Sequence, residues 1–328
     1  FFLTLLAMVV GGNKFLKDWG FETVIFSLLI GLFISNIFSI PKWLKESLSS
    51  ELFVKIGLVL LGTTVLFDDL LKAGALGLIQ SCVVVFTVWN FCFWLCRKMK
   101  IDKEMSLMLS SAVSICGVSA AVATAGAIKG DKTKLSYVVS LVLVVAVPMI
   151  LIMPGLAKLM GLPEDMAGAW IGGTIDTTGA VAATGAIYGE VALQTSTIVK
   201  FSQNVLLGVA AFLISIYWSY SKKEVTEEKP TLKVIWLRFP KFVLGFVAAS
   251  LVFSFCVAPE VVSDAKPILK NIQGMWFALA FMSIGLETDF KSLITSENRR
   301  STYAFLGAQA FNVVFTLFVA WILFGLIA

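Results

Sequence analysis

Two charged side chains lie deep inside apolar stretches of this sequence. Asp176 is a carboxylate within one such stretch, and Lys200 lies about a third of the way into the apolar run that follows. Placing a carboxylate inside a membrane costs at least ~3 kcal/mol, so Asp176 must be paired, protonated or bound to a cation. Lys200 is its natural partner, or the positive charge for a bound anion. A structural ion pair, or a lysine that extends to the membrane surface, would explain the same charges without a function.

Small and hydroxyl-bearing residues surround these charges in two stretches. The first reads SSAVSICGVSAAVATAGAIKG (110–130) and the second GAWIGGTIDTTGAVAATGAIYG (168–189). Glycine permits a break in a helix, and serine and threonine can satisfy the amides that a break frees. A break also exposes helix N-termini, which attract anions. We therefore predict breaks at 114–117 and 172–179 that form one small polar site. Close helix packing through small residues is the alternative.

The predicted site contains substrate-binding, coupling and lining residues. Asp176 is the predicted coupling carboxylate, with H⁺ or Na⁺ as the coupling ion. Gln203 and Asn204 extend the polar helix face that carries Lys200. The residues predicted to bind a small anion are Ser114, Cys116, Gly117, Ser119, Gly173, Thr174, Thr177, Thr178 and Lys200. No metal or cofactor is predicted, because the five cysteines match no metal-binding or redox spacing.

The composition excludes an ordinary soluble domain. Hydrophobic residues make up 58% of the 328 residues and charged residues only 14%, whereas soluble domains carry about 25% charged residues. The chain contains no histidine, which removes histidine-based acid–base catalysis and metal binding. The 26 lysines and arginines lie mostly between apolar runs, as in the flanks of membrane helices, so nucleic acid is not a predicted partner.

The apolar runs predict an all-α polytopic membrane protein with about nine to eleven membrane segments. We interpret 1–328 as a single transmembrane domain, in which the polar linker 221–232 separates two halves. The two small-residue stretches extend over 104–129 and 166–189. The clear segments are 1–12, 21–40, 51–68, 74–96, 133–157, 191–220, 233–257, 270–288 and 301–328.

Two internal similarities indicate an inverted repeat. At an offset of 59, stretch 110–130 aligns without gaps with residues 169–189 of the second stretch, and 55–72 resembles 277–294. Chance likeness between membrane sequences of low complexity is the alternative. If each small-residue stretch is a hairpin that returns to its own side, more lysines and arginines collect on one face, as the positive-inside rule favours. The two hairpins would then enter from opposite faces, which is typical of secondary transporters.

Four motifs resemble the YeiH family of bacterial sulfate exporters: GLVLLGTTVLF (57–67), SICGVSAAVATAGAIKG (114–130), IGGTIDTTGAVAATGAIYG (171–189) and IGLETDFKSL (284–293). The resemblance covers nearly the whole chain and implies a secondary transporter of the plasma membrane. Wider relatives resemble bile-acid/sodium symporters and sodium/proton antiporters, which implies an inverted repeat with crossing broken helices. The chain departs from the family pattern at Asp176-Thr177, where many members have His-Glu, and at Gln203, where many have Arg.

These observations predict a multi-pass secondary transporter in the bacterial inner membrane, not an enzyme. It would carry a small anion such as sulfate, sulfite or a sulfonate by alternating access, and a homodimer is compatible with this architecture. A passive ion channel is one alternative. An intramembrane enzyme is another, since a Ser–Lys pair that uses Lys200 would supply a nucleophile and a base.

Overall fold

A computed structural model describes residues 2–11, 23–38, 40–41, 48–221, 236–237, 239–287 and 299–327. These ranges contain thirteen α-helices and no strand, which confirms the all-α prediction. Three of these helices continue directly into short π-helical turns, at Ala112–Cys116, Val252–Cys256 and Trp321–Ile327. The helices are α1 (Phe2–Gly11), α2 (Thr23–Ile37), α3 (Ser50–Gly62), α4 (Phe67–Lys98), α5 (Lys103–Ser111), α6 (Val118–Ile128), α7 (Lys132–Leu159), α8 (Glu164–Thr174), α9 (Thr178–Tyr188), α10 (Glu190–Ser221), α11 (Phe242–Leu251), α12 (Pro259–Glu287) and α13 (Arg299–Ala320).

Four of the described helices are long and apolar enough to cross a membrane: Leu70–Lys98, Lys132–Leu159, Glu190–Trp218 and Arg299–Leu326. The predicted segments correspond to these and to the shorter helices, with differences at their ends. The helix predicted at 270–288 begins at Pro259, because helical hydrogen bonding continues beyond the apolar residues that hydropathy detects. Beyond Ser221, the predicted linker 221–232 lies outside the described residues.

The first small-residue stretch forms a re-entrant hairpin. α5 and α6 flank a tip at 112–117. Both ends of the hairpin lie together, because Lys134 pairs with Asp102 at 2.8 Å and with Glu104 at 3.3 Å. The side chains of Asp102 and Asp131 accept hydrogen bonds from the first turns of α5 and α7, which fixes where these helices begin.

The second stretch forms a similar hairpin from α8 and α9, with a tip at 175–177. The Tyr188 hydroxyl donates to the carbonyl oxygen of Leu162, and Glu164 Oε2 accepts from the amide of Val191 at 2.9 Å. These contacts join the two ends of the hairpin. Each stretch therefore returns to its own side, which is the arrangement that the distribution of lysines and arginines favoured.

The hairpins enter the protein from opposite ends of α7. This helix has 28 residues and rises about 42 Å, and Pro148 and Pro154 do not end it. Its first residues adjoin the base of the first hairpin, and its last residues adjoin the base of the second. We call the end at 97–104 and 129–134 the basic face and the end at 158–165 and 188–190 the opposite face.

The helices pack into two groups. One group consists of the two hairpins and the helices packed around them, α4, α7, α10 and α13, and we call it the site bundle. Helices α1, α2, α3, α11 and α12 pack mainly on one another, and we call them the flanking bundle. α9, the second arm of the second hairpin, makes most of the helix contacts between the bundles. Its position places the second tip beside their boundary.

Candidate functional site

The two hairpin tips meet at the side chain of Lys200. This residue lies on α10 and is 1% exposed. Its ammonium donates to the carbonyl oxygens of Ile115 at 2.6 Å and Ile175 at 2.8 Å, one from each tip. The third hydrogen bond goes to Gln203 Oε1 at 2.8 Å. The predicted breaks and the predicted buried lysine therefore come together at one point.

The backbone at each tip follows from its local sequence. Gly117 has φ 55° and ψ −111°, a conformation that only glycine adopts readily. An added Cβ there would lie 2.7 Å from Val142 Cγ1 and 3.2 Å from Asp176 Cβ. In the second tip Thr177 is extended, and its hydroxyl accepts from the amide of Ala180 at 3.3 Å. α9 therefore begins at a threonine cap, and the extended residues before it leave carbonyls free.

Amide side chains on α10 tie it to the second hairpin. Gln203 Nε2 donates to the carbonyl of Gly173 at 3.0 Å, and Asn204 Nδ2 donates to Thr178 Oγ1 at 3.2 Å. Gly172 permits the close approach of α8 to α10, since an added Cβ would collide with the backbone of Ser196. The polar face predicted for α10 thus holds the tip in place.

A second polar row, on α13, contacts both tips and was not among the predicted site residues. Asn312 Nδ2 donates to the carbonyls of Val113 at 3.1 Å and Thr174 at 3.2 Å. Gln309 Nε2 donates to the same Thr174 carbonyl at 3.0 Å. Thr316 donates to Asn312 Oδ1 at 2.7 Å and orients the amide. The available signal was the spacing of these polar residues on one face of an apolar helix.

Asp176 belongs to the second tip and lies beside Gly117 of the first tip, but it does not form the predicted direct ion pair with Lys200. Asp176 is 2% exposed, and its Oδ2 atom has no hydrogen-bond partner. The ammonium of Lys200 makes its three hydrogen bonds to Ile115, Ile175 and Gln203 instead. The two charges interact at longer range. Asp176 is therefore a buried acceptor that remains available to a proton or a cation.

A cavity of about 710 Å³ reaches the tips from the basic face. Its outer lining includes Ser50, Lys55, Lys241 and Glu287, which lie at helix ends on that side. Its inner lining includes the predicted residues Cys116, Ser119, Thr177, Thr178 and Asn204. The other predicted residues lie outside the lining: Ser114, Gly117, Gly173, Thr174, Asp176, Lys200 and Gln203.

At the two breaks the helix N-termini, which carry partial positive charge, face a different side from the helix C-termini, which carry partial negative charge. The first turns of α6 and α9 line the cavity, through Val118 and Ser119 on one side and Thr178 and Gly179 on the other. Their amides and helix dipoles favour an anion there. The helical segments that precede the breaks end beside Ile115 and Ile175, whose carbonyl oxygens accept hydrogen bonds from Lys200. The arrangement can therefore hold a cation inside and bind an anion in the cavity.

Comparison with known proteins places these features in a family. Residues 1–304 match the family described as Conserved hypothetical protein 698. A UPF0324 membrane protein of Rhodopirellula baltica is 39% identical over all of this chain and 62% of its own length. One from Nitratidesulfovibrio vulgaris is 38% identical over all of this chain and 58% of its own length. One from Bacillus anthracis is 26% identical over 94% of this chain and 87% of its own length.

The chain thus spans about three fifths of the length of the first two relatives. No solved structure matches it.

Proposed function

This chain belongs to the YeiH/UPF0324 family of membrane proteins, and on that premise we propose that it is a secondary transporter of a small anion. The substrate class is an oxyanion such as sulfate, sulfite or a sulfonate. The observation that carries the proposal is the meeting of two opposed hairpin tips at the end of a cavity that reaches them from one face. Opposed repeats with a central site are the usual design of carriers.

The anion class rests on what the cavity offers at its inner end. Two helix N-termini line it, together with the hydroxyls of Ser119, Thr177 and Thr178. At its mouth Lys55 pairs with Glu51 at 2.6 Å, and Lys241 and Glu287 also line it. The charges at the mouth therefore balance, and the anion preference comes from the inner end. The ammonium of Lys200 already has three hydrogen-bond acceptors, so it acts on the anion as a nearby charge and not as a direct ligand.

Alternating access would occur by movement of the site bundle against the flanking bundle. The cavity lies along their boundary and is open at the basic face. At the opposite face Lys270 of α12 pairs with Glu190 of α10 at 2.6 Å, which joins the two bundles. In the alternate state this contact would part and the cavity residues of the two bundles would close together. Asp176 is the proposed coupling carboxylate. Of the two ions expected from the sequence, H⁺ and Na⁺, we propose H⁺, because the carbonyl oxygens beside Asp176 already bind the Lys200 ammonium.

A carrier fits the site better than the two alternatives. None of the residues that line the cavity lies at the opposite face, so this cavity is open at one face only, as a carrier requires of its site in each state. An intramembrane Ser–Lys enzyme needs a serine hydroxyl that donates to the lysine. Ser114 donates to the carbonyl of Ser110, and Lys200 donates to other acceptors. We therefore propose no catalytic activity and no resident cofactor.

The proposed location is the bacterial inner membrane, crossed several times, with the basic face towards the cytoplasm. The lysines and arginines of 97–103 and 129–134 support this orientation. Lipid is then the surrounding partner, and a homodimer remains compatible with the fold.

Counterflow in proteoliposomes tests the function. Vesicles loaded with unlabelled sulfate should take up labelled sulfate with saturation, and sulfite or a sulfonate should compete. The variant Thr178→Val removes a cavity hydroxyl and should lower the rate at least about fivefold, since a hydrogen bond to a charged group contributes about 1.5–3 kcal/mol. The control is Ser140→Ala, at a half-buried serine of α7 that lies outside the cavity lining and donates to the Ser136 carbonyl. Flux without saturation would indicate a channel, and no flux or competition with any anion would refute the proposal.

A further inference from the structure

The ammonium of Lys200 is bound as completely as an ion in a coordination site. A lysine has three ammonium protons, and here each has an oxygen acceptor at 2.6–2.8 Å. The residue is 1% exposed, so water does not supply these contacts. Two acceptors are main-chain carbonyls and the third is the amide oxygen of Gln203. We call the oxygens of Ile115, Ile175 and Gln203 the carbonyl cage.

The carbonyl cage is built to hold positive charge even without a lysine. The carbonyls of Ile115 and Ile175 lie at the C-terminal ends of helical segments, where the helix dipole is negative and intrahelical partners are missing. Asp176 follows Ile175 directly, interacts electrostatically with Lys200 and has an unpartnered Oδ2 atom. Free carbonyls at broken helices, with a nearby carboxylate, are the ligand types that coordinate alkali cations in transporters.

We infer that the Lys200 ammonium is a tethered cation that occupies a monovalent-cation site formed by the carbonyl cage. In the wild-type protein the site is permanently filled, so Na⁺ does not enter it. Shortening the side chain to alanine keeps the oxygens and frees space for an ion with about two waters. Na⁺ would then bind in place of the ammonium. If the proposed transport function is correct, this occupancy also means that the cage does not couple transport to Na⁺.

A purely structural lysine predicts a different result. In that case the lysine only supplies three hydrogen bonds, and its removal leaves unsatisfied carbonyls that no salt repairs specifically. A cation site predicts recovery that is saturable, selective for the ion over a large organic cation, and absent from the wild type. The two explanations therefore differ in their response to added Na⁺.

The test is thermal unfolding of purified protein in NaCl, KCl or choline chloride at equal ionic strength. Lys200→Ala is the main variant, and Lys200→Ser is a second one whose hydroxyl adds a further oxygen. The matched control is Lys158→Ala, since Lys158 is an exposed lysine in the last turn of α7. Each variant is purified once in NaCl and once in choline chloride.

We expect wild type and Lys158→Ala to unfold at the same temperature in NaCl and choline chloride. Lys200→Ala should unfold at a lower temperature in choline and regain at least about 2 °C in NaCl, saturably, as mass action requires when Na⁺ exceeds its Kd about tenfold. Saturable stabilisation of the wild type by Na⁺ would overturn the inference. The inference would also be overturned if the Lys200 variants had the same Tm in NaCl and in choline chloride, or if they could be purified as folded protein in neither salt.

This test is independent of the anion assay. Sodium-dependent recovery confined to the Lys200 variants would stand even if no anion were transported. Anion counterflow with a sodium-responsive wild type would support the proposed function and reject the tethered cation.

Discussion

Gln309 and Asn312 of α13 jointly hold the Thr174 carbonyl, and removing both should cost more than the sum of the single changes. Thr174 is the last residue of α8, so its carbonyl has no intrahelical donor. It accepts from Gln309 at 3.0 Å and from Asn312 at 3.2 Å. Either donor alone can satisfy it. The perturbations are Gln309→Leu, Asn312→Leu and the double variant, which keep side-chain size similar.

The magnitudes follow from which groups lose their partners. Gln309→Leu leaves Thr174 paired with Asn312 and removes the unpartnered Gln309 Oε1 atom, so its cost should be below about 1 kcal/mol. Asn312→Leu also deprives Val113 of a donor and Thr316 of its acceptor, and it should cost about 1–3 kcal/mol. The double variant leaves a buried carbonyl unsatisfied, which adds about 1–3 kcal/mol. The expected coupling energy equals that added cost, about 1–3 kcal/mol.

Thermal unfolding, followed by tryptophan fluorescence, measures this coupling. Trp170 is a suitable reporter because its indole donates to the Val313 carbonyl of α13 at 2.8 Å. With an unfolding entropy of about 2.1 cal/mol/K per residue, 1 kcal/mol corresponds to about 1.5 °C in a chain of this length. Gln309→Leu should lower the Tm by at most about 1.5 °C and Asn312→Leu by about 1.5–4.5 °C, and the double variant should lower it by about 1.5–4.5 °C more than their sum. Asn90→Leu, at an exposed asparagine of α4, controls for the substitution. Strictly additive shifts would refute the shared role.

Two further predictions concern the first hairpin tip. Gly117→Ala should lower the free energy of unfolding by at least about 2 kcal/mol, because a Cβ there would lie 2.7 Å from Val142 Cγ1 on a backbone with positive φ. The control is Gly155→Ala in α7, where a Cβ meets nothing within 4 Å. Equal Tm values for the two variants would contradict the predicted strain at Gly117. Cys116 lines the cavity, so in a variant that keeps it as the sole cysteine, a small thiol reagent should label it in the folded protein. A variant that keeps only the fully buried Cys92 should react only after unfolding, and equal labelling of the two would contradict the cavity assignment.

Much of the fold could be predicted because a membrane helix can be recognised from its own stretch of sequence. Each helix must satisfy its own backbone and present apolar side chains to lipid, so the segments are visible as runs of hydropathy. The first break was visible because Gly117 stands out in an apolar run. The second break is shorter than the predicted 172–179, because Gly172 and Gly173 lie inside α8 and only 175–177 interrupt the helices. Hydropathy did not locate helix ends well. α12 extends eleven residues before the predicted start at 270, because polar helix outside the apolar region gives no such signal.

The partners of the buried charges could not be predicted. Lys200 was expected to pair with Asp176 or to face an anion, but its ammonium binds carbonyl oxygens. Main-chain carbonyls have no sequence signature, and only the positions of both tips make them available. The same holds for Asn312, which contacts Val113 across 199 positions of the chain.

The sequence by itself determined that the protein lies in a membrane, where its helices are, where they break, and that a carboxylate and a lysine are buried. Each of these properties depends on local composition and on the free-energy cost of polar groups in lipid. Tertiary structure alone decided that the stretches re-enter, that their tips meet at Lys200, and that the cavity reaches two helix N-termini. These properties depend on contacts between segments far apart in the chain, such as Lys200 with Ile115, 85 positions away. Only the packed structure brings such groups within hydrogen-bond distance.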